Sequence, residues 1–593
     1  MTSAAVAPSI TPIEQRQTMP RAALVLALAL IAGLTALHIR HYVFLCDDAY
    51  IMFRYARNLA HGHGLVFNVG ERVEGYTSFL WVLQLSIGYL LGAPGDVVPH
   101  VLSVAYTAAA MGIWVWFILQ QPAAHRWAVA LLVLFGLAVN RSWAVWATSG
   151  LETRAFTCCV LLTFALLARA EQLDSSRRWR GLVGVSLALS AAALTRPDGQ
   201  IFLPVLILFS LASRRGRAES AALALPCLII IGGHYLWRRE YYGVWLPNTY
   251  YAKVVAPWPA MGARYFAAFV IEYAYYLVLP FIALVWCWVP SALSRRLGYT
   301  LAACMALHAG YYCYAVGGDH FEFRIFDFYA PLILWMAAEA LVTVATRRPC
   351  VATAAGLIML VYSVVIPTSA LFNTAHLQPR DVLPAIMHTG EQFTVTTGNT
   401  PGARWLPFLS YLIDLDRRLM AKLNGHFIAT RQEIHKICWL GFKENIELAV
   451  GVAERGVLPP LTAVSFCPGI LGYYVDVPIV DAHGLTDATV AHAPVPDSVI
   501  GDWRFMAHER TASFEYLEQR HAHVQVISAT HAPLPQGKPY PWFTPPGRTN
   551  RQYSIRIGNS VWLNIATWDS EWVARNFHVT PSDLVALPAG GAR

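Results

Sequence analysis

Two adjacent carboxylates, Asp47 and Asp48, directly follow an apolar run that ends near residue 40. Carboxylates at bilayer depth are costly to keep and are functional candidates for that reason, and an ionised one can serve as a general base. The helical stretch behind them sets Arg54, Arg57, Asn58 and His61 at i, i+3, i+4 and i+7, with Ile51, Tyr55 and Leu59 opposite. That pattern predicts an amphipathic membrane-surface helix, for which the aspartates could equally be caps. More charge recurs at the ends of apolar runs: Glu152, Arg196 and Asp198, the Asn248, Tyr251 and Lys253 group, and Asp319, His320, Glu322, Arg324 and Asp327. Each alone reads as a snorkelling cation or a turn residue. On one face together, they predict a shared cavity of carboxylates and cations.

Such a cavity suits a lipid-linked sugar phosphate. The leaving phosphate is weakly basic and needs no general acid, so the protein must supply a base for the acceptor hydroxyl and cations for the phosphate. Asp47 or Asp48 is the expected base, with Asp47 favoured as the nearer to the span, and Lys253, Arg324 and Arg54 are the expected phosphate holders. The chain has neither a Gly-x-x-x-x-Gly-Lys-Ser/Thr loop nor a Gly-x-Gly-x-x-Gly fingerprint, which argues against nucleotide chemistry. His61 with His63, and His521 with His523, lack a third ligand in view, so no metal and no cofactor are expected.

The elements that must carry these residues follow from composition. Of 593 residues, 56% are hydrophobic and 13% charged, against about 25% charged in soluble proteins, which excludes one soluble globule. At about 20 apolar residues per span, some eleven spans are expected near 22–40, 98–119, 127–147, 151–171, 180–195, 199–213, 220–238, 264–290, 298–316, 324–345 and 350–371. The net charge of +8 is gathered in short basic loops such as Arg177-Arg178-Trp179-Arg180, Arg214-Arg215-Gly216-Arg217, Arg295-Arg296 and Arg347-Arg348. These read as cytoplasmic loops under the positive-inside rule rather than as a nucleic-acid surface. Parity then places the acidic loops and everything after residue 371 outside. Ser78–Leu91 is too short for a span and is read as a second surface helix within one large outer loop.

The organisation expected is therefore a polytopic α-helical transmembrane catalytic domain, 1–371, followed by a soluble extracytoplasmic α/β domain, 372–593. Within the latter, 475–481 reads as a strand leading to His483-Gly484-Leu485-Thr486-Asp487. Cys438 and Cys467, the only cysteines there, are expected to pair.

Several stretches resemble a known family: Asp47-Asp48-Ala49-Tyr50, Arg54-Tyr55-Ala56-Arg57-Asn58-Leu59, Gly62-His63-Gly64-Leu65-Val66-Phe67-Asn68, Gly70-Glu71-Arg72-Val73-Glu74-Gly75-Tyr76-Thr77, Thr148-Ser149-Gly150-Leu151-Glu152-Thr153 and Gly484-Leu485-Thr486-Asp487. They are similar to the polyprenyl-phosphate-dependent glycosyltransferases of the GT-C fold, and in particular to the terminal β-(1→2) arabinofuranosyltransferases of mycobacterial cell-wall assembly. The resemblance implies a decaprenylphosphoryl-arabinose-type donor, an outward-facing site, and a base from the Asp47/Asp48 pair. It also makes Glu74, Tyr76, His483 and Asp487 candidates for substrate contact.

The expected function is an inverting transfer of arabinofuranose from a polyprenyl-phosphate donor to an envelope glycan or glycoconjugate, in the bacterial cytoplasmic (inner) membrane. A mannosyl-type transferase acting on protein or lipid is the second reading. A lipid-linked glycan transporter is a third, disfavoured because transporters place polar residues at the midplane of several spans and here they gather at span ends.

Overall fold

The computed structural model describes residues 20–120, 126–212, 216–288, 292–365, 407–436, 439, 461–475, 477–495, 499, 504–530, 551–558, 561–577 and 584–587. Cys438, Arg214, Arg215 and the expected domain junction at 371 lie outside them.

The apolar runs form helices. They are α1 (Arg21–His41), α2 (Asp47–Ala60), α3 (Phe79–Leu90), α4 (Val97–Gln120), α5 (Arg126–Ala138), α6 (Arg141–Val145), α7 (Thr153–Glu171), α8 (Ser175–Thr195), α9 (Phe202–Ala212) and α10 (Arg217–Tyr242). After them come α11 (Asn248–Lys253), α12 (Pro259–Glu272), α13 (Tyr275–Trp286), α14 (Ala292–Tyr311), α15 (Tyr329–Ala345) and α16 (Pro349–Val365). Four described helices are long and apolar enough by themselves to cross a membrane: α1, α4, α7 and α10. Leu26, Leu30, Leu37, Ile229 and Leu236 point outward from α1 and α10, as lipid-facing side chains do. By contrast α7 is enclosed by α4 and α8.

Three expected spans break, each for a local reason. The run 264–290 is two helices, α12 and α13, bent by 79° at Ala274, which takes a left-handed backbone (φ 53°). The run 127–147 stops at Ala138, because the Asn140 side chain accepts the Trp143 amide at 2.9 Å and starts α6. The run 298–316 passes from α14 into a single π-helical turn, Tyr312–Val316. Gly317 and Gly318 end that turn at φ 92° and 114°, conformations open to glycine at little cost, and turn the chain toward Asp319 and His320.

The first loop departs most from expectation. Helix α2 is not a surface helix: Ala49 through Ala56 and Asn58 are all buried. Its polar stripe packs against protein, as described below. The short apolar helix α3 packs beside it.

After residue 406, α17 (Pro407–Asn424) packs along α12, and α18 (Pro468–Val475) packs along α2. A mixed sheet of six strands follows, in the order β2-β1-β3-β5-β4-β6. The strands are β1 (Ala463–Ser465), β2 (Ile479–Asp481), β3 (Val524–Thr530), β4 (Arg551–Gly558), β5 (Val561–Thr567) and β6 (Leu584–Leu587). Strand β1 is parallel to β2 and β3, and the other pairs are antiparallel. The part of 475–481 that is strand is Ile479–Asp481 alone.

Buried ion pairs fasten residues 426–436 to the bundle. Arg141 meets Glu322 and Glu433 at 3.0 Å each, and Arg431 donates to Glu272 at 3.0 Å and to Glu322 at 3.4 Å. Glu322 also donates its amide to the Thr430 carbonyl at 3.1 Å. Such pairs cost desolvation and stabilise only when their partners stay matched, so they fix one docking arrangement of this segment.

Candidate active site

Asp47 and Asp48 begin the first turn of α2, and neither caps it, because the capping position is Cys46, without a side-chain bond. The helix turns the two carboxylates to different neighbours. Asp47 accepts the Gly469 amide at 3.1 Å and the Ile470 amide at 2.8 Å, so it caps α18 instead. Burial, opposed by those two amides, pushes its carboxyl up to about 7.

Asp48 faces the open side. Its Oδ2 is 3.9 Å from Lys253 Nζ, with both side chains about one-third exposed, 33% and 35%. Burial raises its pKa, yet the positive charge of Lys253, with Arg324 behind it, outweighs burial and holds Asp48 below the usual carboxylate range. Arg324 donates from Nε to Asp319 at 3.1 Å and lies over the Phe321 ring at 4.6 Å. Asp48, Lys253, Asp319, His320 and Arg324 thus form one cluster.

A second cluster adjoins it through Arg324, which is influenced by Arg196 and Glu152. Arg196 grips Asp198 with two bonds, 3.1 and 2.8 Å, and meets Glu152 at 3.7 Å. Asp198 also accepts from Tyr312 at 3.1 Å and meets His308 Nε2 at 3.0 Å. Both clusters sit where α2 and α7 begin, where α8 and α11 end and in the segment after the π turn, which brings together five segments far apart in sequence.

Other expected substrate contacts are structural. Arg54 was expected to hold phosphate, but it donates to the carbonyls of Gly472 at 2.8 Å and Val477 at 3.0 Å and stacks on Phe67. Arg57 donates to the Tyr473 carbonyl at 2.7 Å. The polar stripe of α2 therefore satisfies the last carbonyls of α18, the normal use of cations at a helix C-terminus. Glu74 pairs with Arg238 at 2.5 Å in the interior, and Tyr76 bonds the Tyr242 hydroxyl at 3.1 Å. Asn248 donates to the carbonyls of Gly484 at 2.7 Å and Leu485 at 3.1 Å, and its amide donates to the Glu74 carbonyl at 2.9 Å. Asp487 caps 488–491 and accepts from Tyr516 at 2.7 Å. The ring of Tyr251 lies 4.5 Å from that of His492. The resembling stretches around Glu74 and Gly484 do converge, joined by Asn248, as a scaffold beneath α2.

Sequence reasoning missed His435 and His508 beside His320, and His308 and Tyr312 on Asp198. No spacing pointed to them. Among the described residues no group of three or more His, Cys, Asp or Glu is arranged to hold a metal ion. What the arrangement offers is an ionised, accessible carboxylate next to two cations, at one end of an apolar helical bundle.

No family model matches the chain. It is similar to the terminal β-(1→2)-arabinofuranosyltransferase of Mycobacterium tuberculosis, with 27% identity over 271 residues, 44% of this chain and 41% of that protein. With the enzyme of the same description from Corynebacterium glutamicum it shares 30% identity over 240 residues, 35% of this chain and 33% of that protein. The chain thus matches less than half the length of these curated relatives. The crystal structure of ArnT from Cupriavidus metallidurans bound to undecaprenyl phosphate superposes with a TM-score of 0.52 at 15% identity, covering 80% of this chain and 88% of that one. The fold resembles that of this GT-C neighbour. The curated relatives in sequence are terminal β-(1→2)-arabinofuranosyltransferases.

Proposed function

We propose that the protein is an inverting membrane glycosyltransferase that moves arabinofuranose from a polyprenyl-phosphate donor to a hydroxyl of an envelope glycan or glycoconjugate, on the outer side of the bacterial cytoplasmic membrane. The observation that carries this reading is the Asp48–Lys253 pair, 3.9 Å apart and open to solvent, with Arg324 among the charges that act on Asp48. Asp48 takes the acceptor hydroxyl proton as that oxygen attacks the anomeric carbon from the face opposite the phosphate. The bond from that carbon to the phosphate oxygen breaks, and polyprenyl phosphate leaves with its electron pair. Lys253 and Arg324 stabilise the charge that gathers on the departing phosphate. Asp48 is the base in preference to Asp47, whose oxygens accept the Gly469 and Ile470 amides. The similarity to curated arabinofuranosyltransferases supports the choice of pentose. The residues after 371 lie on the same side as the site in this reading.

The experiment is transfer of radiolabelled arabinose from synthetic farnesyl-phosphoryl arabinofuranose to an octyl arabinofuranosyl disaccharide by the full chain in lipid nanodiscs. Transfer with inverted stereochemistry, lost in Asp48→Asn, is the expected result. Transfer from a mannosyl donor alone would move the assignment to a hexosyltransferase. Full activity of Asp48→Asn would remove the base.

A further inference from the structure

We propose that His320, His435, His508 and His483, with the ring of Phe427, form the subsite that binds the acceptor sugar, a neutral polyhydroxylated ring presented beside Asp48. This deepens the transferase reading and rests on it.

The four imidazoles come from separate segments and form one continuous wall. His435 and His320 have ring centroids 5.2 Å apart, His320 and His508 6.1 Å, and His508 and His483 4.6 Å. Phe427 stacks on His320 at an interplanar angle of 12° and reaches His508 at 5.5 Å. The Asp48 charge is felt at His320, His435 and His508, and His320 directly follows Asp319, the partner of Arg324.

Three of the rings are held in one tautomer. Nδ1 of His320 meets the Phe427 carbonyl at 2.8 Å, that of His508 the Met506 carbonyl at 2.8 Å, and that of His483 the Arg510 carbonyl at 2.8 Å. A carbonyl can only accept, so each Nδ1 carries the proton and each Nε2 keeps a lone pair. Nε2 of His435 is buried and has no hydrogen-bond partner among the described residues. A buried polar atom without a partner is uncommon and asks for one.

Burial keeps the wall uncharged: it lowers His320, and brings His435 and His508 to about 3 and His483 to about 4. Uncharged acceptors suit sugar hydroxyls and suit phosphate poorly, since phosphate oxygens offer no proton and want cations. The cations Lys253 and Arg324 act on Asp48 as well. Asp48 therefore has both cations and uncharged rings in its surroundings.

The backbone around the wall is unusual as well. Phe323, Phe427, Ala429 and Ala507 take left-handed conformations at φ 45°, 58°, 56° and 66°. Such strain in residues other than glycine persists where surrounding structure enforces it, and it collects at ligand sites.

Titration of the octyl arabinofuranosyl disaccharide into the full chain in nanodiscs reads this subsite without turnover. The expected result is binding to the parent protein that weakens tenfold or more in His435→Ala and in His508→Ala, the equivalent of about 1.4 kcal/mol. His435→Gln and His508→Gln, which keep an accepting oxygen, should recover most of it. In the transfer assay the acceptor KM should rise while the donor KM stays. No binding to the parent protein, equal binding in the alanine variants, or a rise in the donor KM instead would each overturn the assignment. Loss of transfer in the parent protein with acceptor binding intact would fail the transferase reading and leave the subsite standing.

Discussion

The Asp47 carboxylate accepts the amide of Ile470 at 2.8 Å across 423 positions of sequence, joining the first turn of α2 to the first turn of α18. Arg54 and Arg57 close the same helix pair at its other end. The segment after residue 406 therefore holds α2, and with it Asp48, in place.

The division of labour between the two aspartates gives the first prediction. Asp48→Asn should lower transfer by about 10²–10⁴-fold, the contribution of a positioned base. Asp47→Asn should cost about tenfold or less, because the amide oxygen still accepts one of the two backbone bonds. The two rates, measured on purified variants, check this, and equal losses would contradict it.

Lys253→Ala and Arg324→Ala should each slow donor turnover by roughly 10²-fold, the scale for losing one preorganised charge-stabilising group. Acceptor affinity should not move. Single-turnover release of polyprenyl phosphate reads the effect directly.

Gly469 has no room for a side chain, since a Cβ there would sit 1.9 Å from the Asp47 carbonyl oxygen. Gly469→Ala should destabilise the α2/α18 contact by about 1–3 kcal/mol and reduce activity while the bundle still inserts. Limited proteolysis of the segment after 406, compared with the parent protein, should show faster cleavage.

Asp47 gives a pH dependence with a definite sign. Its carboxyl is raised to about 7 in the folded protein from an ordinary 3.8, so the folded state binds this proton more tightly than the unfolded state. Its contribution to stability therefore falls as pH rises from about 4 through about 7. Asp47→Asn should flatten that part of the profile, visible as Tm against pH in detergent. An unchanged slope would show that another group is responsible.

Arg431→Met should be severe, because it strands Glu272 in the interior and leaves Glu322 with Arg141 alone. A loss of about 3–5 kcal/mol is expected for breaking a buried pair from one side, read as a lowered Tm.

The sequence by itself determined where the chain is apolar, hence where its helices lie, and that charge collects at their ends. It also marked Asp47 and Asp48, Lys253 and Arg324, because carboxylates and cations beside apolar runs are informative without any neighbours. Helix ends were less legible, since Ala274, Asn140 and the π turn at Tyr312–Val316 act through backbone conformation that hydropathy does not report. Only the tertiary structure decided that Asp47 accepts backbone amides while Asp48 meets Lys253. A polar stripe such as Arg54 and Arg57 looks the same whether it meets water, phosphate or the carbonyl end of α18, and the choice is made by contacts across more than 400 positions. The histidine wall was invisible for the same reason: its four rings come from segments whose own spacing is unremarkable, and His435 joins the others where the buried Arg141, Glu322 and Arg431 pairs dock residues 426–436 on the bundle.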